Sequence, residues 1–583
     1  MKRCPQCNRV ETDEALKFCR VDGTTLITDS GPVSGEAGTA QLGAPTDTSE
    51  VHTSVLSSRT EASINRATAP TTVLPPQSTT SATSELGKPK SRRTAIIIAV
   101  IVTAAVAAVT AIVVDSYRSR NSSKSIQSIA VLPFENKSSD ADTDYLSDGL
   151  ADSLIFRLSQ LPGLKVSPAS SIMRYKGKDN DLAKIASELG VEAIITGRLL
   201  KRGDNLNITV ELIDVRNNKS LWGEQYERKM SDLLSTQREI ASVITQKLQL
   251  KLSGESEQKL AKKFTDNNEA YQLYLKGRYY WNKRDAENFK KAIEQFKAAA
   301  DKDPNFALAF VGLADCYALL PEYGTTPTSE ALPQAKAYAE RALAIDESLG
   351  EAHISLANIN TLLWNWAEAD KEYKHGIELN PNYATAYKWY GLHLATLGRL
   401  DQALAQLKRA QELEPLSLSI NLNVAEIYLA RGDFEAAVEQ CRRTLDLDPN
   451  WFYVRRQLGF VYLKQGQTAE ALAEGEKSVE LSKRHSIPLG MLGYIYAQTD
   501  KRNEAAAIVE ELKQRFGKQQ ANGSDLANVY VGLGDKEQAF AWLEKDFQSR
   551  SSLLPYWLNF PPLNSLRDDQ RFTDLQKRMG LPE

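Results

Sequence analysis

From about residue 269 to residue 551 the chain repeats one arrangement of apolar, small and aromatic positions every 34 residues. Leu356, Tyr390, Val424, Leu458, Leu492 and Leu526 hold this step. Each is followed by a small residue: Ala357, Gly391, Ala425, Gly459, Gly493 and Ala527. Tyr428, Tyr462, Tyr496 and Tyr530 recur in the same frame, as do Ala369, Ala403, Ala437, Ala471, Ala505 and Ala539, and Pro381, Pro415 and Pro449. A fixed period in this range predicts a solenoid of stacked units, none of which can bury its apolar face alone. Each unit reads as two helices, A and B. The small residue lets the helices approach closely, the Tyr and Ala fill their contact, and the Pro stops helix B and opens the next unit.

The order large apolar, small, Tyr, Ala, Pro resembles the tetratricopeptide repeat. Two looser units precede the regular ones. The first offers Ala292, Phe296, Ala299 and Pro304, with Gly277 and Tyr280 upstream. The second offers Leu313, Ala314 and Tyr317, an inserted loop, then Ala335 and Ala342. The count is about eight repeats over residues 269–551, the outer ones degenerate as capping units tend to be. The tail, residues 552–583, breaks the period and is similar to the closing segment of the same class, with Leu566, Phe572, Leu575 and Met579 expected on the last repeat as a cap. The resemblance implies a concave side, lined by A helices, that takes extended peptides or partner helices. Carried onto this chain, its inner positions are Asn358, Lys388, Glu426, Tyr453, Arg456, Phe460 and Tyr494. Their mixture of cations, one acid and aromatics suits a peptide with a carboxylate and apolar side chains; the plain alternative is ordinary surface.

Residues 126–252 change to a mixed α/β pattern. "SIAVLPFE" reads as a buried strand, "DTDYLSDGLADSLIFRLSQLPG" as an amphipathic helix stopped by Pro162 and Gly163, and "DLAKIASELG" as a helix ended by Gly190. Three strand-like runs follow, with turn residues at Gly203-Asp204 and Asn217-Asn218, before a closing helix. These stretches, with "YKGKD", "LGVEAIITGRL" and "LWGEQYER", are similar to the domain resembling the N-terminal part of the periplasmic protein TolB. That domain stands upstream of tetratricopeptide arrays in bacterial membrane-anchored proteins. Relatives often carry a cytoplasmic output module in front: a winged helix, a nucleotide cyclase or a protein kinase. The resemblance implies architecture and compartment, not an activity.

Ahead of this unit, residues 94–114 contain no charge and are rich in Ile, Val and Ala, long enough to span a bilayer as one helix. Basic residues flank the stretch on both sides and favour a cytoplasmic N-terminus only slightly, with the bulk of the protein then outside the cytoplasm. Residues 27–93 are rich in Ser, Thr, Pro and Ala without an apolar period, which predicts a disordered linker. Residues 1–26 hold Cys4, Cys7 and Cys19. Asp22 stands where a fourth cysteine is expected. The segment looks like a small zinc-ribbon module with Asp22 as an allowed fourth ligand; a disulfide or free thiols are the alternatives. A segment this short needs Zn2+ as its main stabiliser.

A net charge of −3 leaves no nucleic-acid footprint. No stretch reads as a phosphate-binding glycine loop, a metalloprotease helix or a nucleophile elbow. His353, His375, His393 and His485 fall in repeat helices and read as structural or surface residues, and Cys316 and Cys441 as small core residues. Asp148-Gly149 reads as a ligand contact or a helix start, Trp364 and Trp366 as an aromatic patch or the closure of an A–B turn. The expectation is a multidomain chain: zinc ribbon, one transmembrane helix, α/β domain, all-α tetratricopeptide solenoid. It is expected to be a non-catalytic scaffold or sensor in the inner membrane, with protein or peptide partners and no nucleic acid. The alternatives are a signalling or transcription-regulatory protein with the ribbon as its output, and an accessory subunit of a cyclase or kinase system.

Overall fold

The structure is a computed structural model. It describes residues 2–3, 10–11, 27–28 and 126–582, apart from 139–142, 179–180, 251, 284 and 322–325. The chain divides into two units at residue 104. In the first, β1 (Lys2–Arg3) pairs antiparallel with both β2 (Val10–Glu11) and β3 (Ile27–Thr28). Cys4, Cys7, Cys19 and Asp22, the linker beyond Thr28 and the apolar stretch 94–114 lie outside the described residues. Among the described residues no helix is long and apolar enough to cross a membrane.

The second unit opens with a mixed sheet. Its strands are β4 (Ser128–Val131), β5 (Glu135–Asn136), β6 (Lys165–Val166), β7 (Ala193–Arg202), β8 (Asn205–Asp214) and β9 (Lys219–Lys229), in the order β6-β4-β7-β8-β9 with β5 also on β7. β4 runs parallel to β6 and β7, and its Ile129, Ala130 and Val131 are fully buried, as a strand covered on both faces requires. β7, β8 and β9 are antiparallel. β8 alternates, burying Leu206, Ile208, Val210 and Leu212 on one face. Gly203 and Asp204 form a two-residue turn between Arg202 and Asn205, whereas the second hairpin needs the longer loop from Val215 to Asn218. Around the sheet lie α1 (Asp144–Ser159), α2 (Ala169–Ile172), α3 (Leu182–Leu189), α4 (Leu233–Lys247) and α5 (Gly254–Ala261).

Among the described residues, eight antiparallel helix pairs follow. They are α6 (Asn268–Trp281) with α7 (Ala286–Lys302), α8 (Ala307–Leu319) with α9 (Thr328–Ile345), α10 (Gly350–Leu362) with α11 (Trp366–Leu379), and α12 (Ala384–Thr396) with α13 (Leu400–Leu413). Then come α14 (Leu418–Arg431) with α15 (Phe434–Leu447), α16 (Phe452–Lys464) with α17 (Thr468–Leu481), α18 (Ser486–Gln498) with α19 (Arg502–Phe516), and α20 (Gly523–Leu533) with α21 (Lys536–Gln548). The small position after each large apolar residue is a steric demand. A Cβ on Gly391 would stand 2.7 Å from Leu407 and 3.2 Å from the Ala403 carbonyl oxygen of the paired helix. The turns between A and B helices are left-handed at Gly398, Gly432, Gly466 and Gly534, again on the 34-residue step. In the third pair that position is Trp364, held at φ +68. After α21 the chain makes α22 (Leu554–Trp557), a 3-10 turn (Leu563–Leu566) and α23 (Gln570–Arg578). Leu566, Phe572, Leu575 and Met579 are buried with Ala539, Phe540 and Leu543 of the last pair.

Candidate interaction groove

The repeats are here covered by two parts of the same chain. The first is the α/β unit. Its α1 packs on α6, where Gly149 meets the Leu275 side chain so closely that a Cβ would lie 3.0 Å away. Asp152 pairs with Arg278 at 3.0 Å, and Ser153 bonds the Tyr271 hydroxyl at 2.6 Å. From there the unit runs along the turns that join successive repeats. Lys262 donates to Ser348 at 2.7 Å, Asn382 donates to the carbonyls of Ser159 and Leu161 at 3.1 Å and of Leu164 at 3.3 Å, and Arg174 donates to the Leu416 carbonyl at 3.2 Å. Ser348, Asn382 and Leu416 are one position in three consecutive repeats. The period that stacks the helices also presents an even row of contacts to the sheet unit. Ser170 adds a hydrogen bond to the Glu414 carboxylate.

The second part is the segment around α22. Glu426 on α14 and Arg456 on α16 form an ion pair at 2.8 Å. The other carboxylate oxygen of Glu426 accepts from Asn423 at 3.0 Å and from the Tyr556 hydroxyl at 2.8 Å. Burial, and then the Glu426 charge, push the Tyr556 hydroxyl well above the ordinary tyrosine range. Trp557 lies 5.1 Å from the Arg456 guanidinium, centroid to Cζ, a cation–π contact. Phe560 packs against Tyr556, ring centroids 4.4 Å apart, and is buried with Ile354, Ala357, Tyr390 and Val424 from three A helices. Asn559 donates to the Thr396 carbonyl at 2.6 Å. Leu554, Leu558, Leu563 and Leu566 turn the other way, into the core of the last two repeats.

The seven inner positions named from the repeat pattern therefore divide. Glu426 and Arg456 meet each other and the tail. Phe460 and Tyr494 pack together at 5.6 Å, with Lys464 over both rings and its Nζ donating to the Tyr494 hydroxyl at 3.3 Å. Tyr453 sits apart, against Trp451, Phe452 and His485. Asn358 and Lys388 are half-buried on α10 and α12. Asp148 is an interior residue of α1, buried and bonded to Lys176 at 2.8 Å, and burial raises its carboxyl above the usual range. His393 is fully buried among Trp366, Tyr373 and Tyr390, with Nδ1 2.9 Å from the Thr361 hydroxyl; burial lowers it to about 4.

Trp364 and Trp366 stand where α10 turns into α11, and they tie that turn to the end of the chain. Trp364 packs against Phe547 at 5.7 Å and lies under the Arg550 guanidinium at 4.9 Å, and Trp366 donates to the Met579 carbonyl at 3.0 Å. The third repeat thus touches the eighth and the cap. A signal for this was in the sequence: a tryptophan stands at the 34-residue step that glycine holds in four later turns.

The fold and groove define a tetratricopeptide-repeat chain with a mixed-sheet unit packed on its repeats. Family models agree on both parts. Tetratricopeptide repeat models match residues 274–325, 365–415 and 391–450. The model described as HilA/YgeH-like transcriptional regulator, second domain, matches residues 124–243. The chain is similar to a Rhizobium meliloti protein named "Putative adenylate cyclase 3", 31% identical over 253 residues, 42% of each chain. It is also similar to the transcriptional regulator HilA of Salmonella typhimurium, 24% identical over 292 residues, 49% of this chain and 51% of HilA. The chain spans about half the length of these relatives, or less. Among solved structures it resembles PilF of Pseudomonas aeruginosa at 21% identity and a TM-score of 0.29, over 36% of this chain and 94% of PilF.

Proposed function

We propose that this chain is a non-catalytic, membrane-tethered scaffold or sensor whose repeats engage protein partners. The observation that carries the reading is the row formed by Ser348, Asn382 and Leu416, which locks the α/β unit to successive repeats. A ligand on the sheet unit and a partner on the repeats would then act on one body. The tether is residues 94–114. The resemblance of residues 126–252 to the N-terminal part of TolB supports placing that body on the outer side of the inner membrane. Cys4, Cys7, Cys19 and Asp22 would hold a structural zinc on the cytoplasmic side.

A second reading is a signalling or transcription-regulatory protein, with the N-terminal segment as its output or with catalysis on another chain. The match of residues 124–243 to the second domain of HilA/YgeH-like regulators favours it. Similarity to proteins named for two different activities supports a shared body that receives and relays a signal. Photo-crosslinking in whole cells, with the reactive residue at the exposed Lys464 position, tests the scaffold reading. The expected result is one discrete protein adduct that is lost when Tyr494→Ala alters the neighbouring ring. Absence of any discrete adduct in membranes that hold the folded chain counts against it.

A further inference from the structure

Resting on the scaffold reading, we propose that residues 554–560 are an internal ligand seated in a peptide-binding groove on the third to sixth repeats, and that the partner segment which replaces them presents the same chemistry: adjacent Tyr and Trp side chains, then Phe three residues on. The segment has two faces. Leu554 and Leu558 hold it to the last repeats, while Tyr556, Trp557 and Phe560 reach helices far earlier in the chain. α22 is a single turn of four residues, so its order comes from docking and not from its own helix. Three aromatic anchors, a hydroxyl on a carboxylate and an amide on a backbone carbonyl are the contacts by which short peptides are held in grooves.

The groove is built to stand without its occupant. Glu426 keeps Arg456 and Asn423 as donors when Tyr556 leaves, so withdrawal strands no buried charge. It also holds an unused feature. The Arg456 Nε is buried and has no hydrogen-bond partner among the described residues, beside the ring of Trp557. A partner that adds a backbone carbonyl or carboxylate oxygen there gains one charge-assisted bond the tail does not make, worth roughly a tenfold gain in affinity. The tail in turn enjoys an effective concentration of roughly millimolar order through its short tether. The groove therefore answers to a partner that binds more tightly than the tail or is itself held close.

The test uses the full chain in detergent micelles and a fluorescein-labelled peptide of residues 553–562. Tyr556→Ser/Trp557→Ser removes two of the segment's three aromatic anchors while leaving Leu554 and Leu558 in place. The double variant is expected to bind the peptide at least tenfold more tightly than the unaltered chain, and a peptide with Ser at both aromatic positions is expected not to bind. A folded double variant that ignores the peptide, or equal binding by both chains, overturns the proposal and makes the segment a permanent strut. If the double variant unfolds, hydrogen exchange of the unaltered chain decides: excess peptide should strip protection from residues 554–560 and leave 536–548 protected, and unchanged protection of 554–560 refutes displacement. Peptide binding without a cellular partner leaves the groove standing and removes only the scaffold reading.

Discussion

Arg456 and Glu426 sit on the first helices of two successive repeats and pair at 2.8 Å with only 3% and 5% of their side chains exposed. A pair this buried contributes little net stability over an apolar substitute, yet breaking it on one side is costly. Arg456→Ala is expected to destabilise the chain by about 3–5 kcal/mol, because it leaves an unpaired carboxylate in the groove. Glu426→Gln/Arg456→Met should lose less than Arg456→Ala alone. Urea titration followed by circular dichroism measures both. An Arg456→Glu variant would set two carboxylates together and destabilise the chain further.

Trp364 occupies a left-handed turn that costs a non-glycine residue about 1–3 kcal/mol. Its ring repays this against Phe547 and Arg550. Trp364→Gly removes the strain and the ring together; Trp364→Ala removes the ring and keeps the strain. The expected order of thermal stability is the unaltered chain, then Gly, then Ala, with Ala lower by about 3–5 kcal/mol for the lost buried ring. Ala more stable than Gly would show that the turn is unstrained.

Asn382 fixes three carbonyls at the end of α1 with one side-chain amide. Asn382→Ala should cost about 1–3 kcal/mol through those half-buried carbonyls. Hydrogen exchange should accelerate in residues 159–166 and not in α18 or α19. A uniform change across the chain would mean that the row of inter-repeat turns does not hold the α/β unit.

His393 titrates at about 4 because burial disfavours its charged form, partly offset by the Asp370 carboxylate. The unfolded chain, with an ordinary histidine near 6.5, takes up the proton first. Stability from this group is full above pH 6.5 and declines as pH falls towards 4, by about 3 kcal/mol in all. Denaturation at pH 7 and pH 4.5 should show a smaller loss in His393→Gln than in the unaltered chain. Equal losses would place the pH sensitivity elsewhere.

The zinc reading of the N-terminal segment has its own measurement. Chain purified under reducing conditions should carry one zinc, which Cys4→Ser/Cys7→Ser abolishes and Asp22→Asn weakens. Metal-free chain would return the three cysteines to ordinary thiols.

The repeats were legible because each anchor is written many times over: Gly391 tells little alone, but with Gly459 and Gly493 it marks where helices A and B touch. The strands were legible through β8, whose alternating Leu206, Ile208, Val210 and Leu212 show which face is buried. Glu426 and Arg456 were legible as positions on the A helices of successive repeats, and their pairing was not. What occupies the groove was not, because Tyr556 meets Glu426 across 130 residues and no local pattern encodes that meeting. The contact of Asn382 with Leu161, across 221 residues, escaped for the same reason. Trp364 is the exception, since its place on the glycine step marks it in the sequence itself.

The join of the third repeat to the eighth bears on how the chain folds. An open array responds as a string of neighbours and can fray from either end. Here Trp366 meets the Met579 carbonyl 213 residues later, and the sheet unit spans the first five repeats. Neither end can peel away without withdrawing contacts from the middle. Unfolding should then occur in one concerted transition, and folding should be slower than in an open array of equal length, since the last contacts close the longest loop.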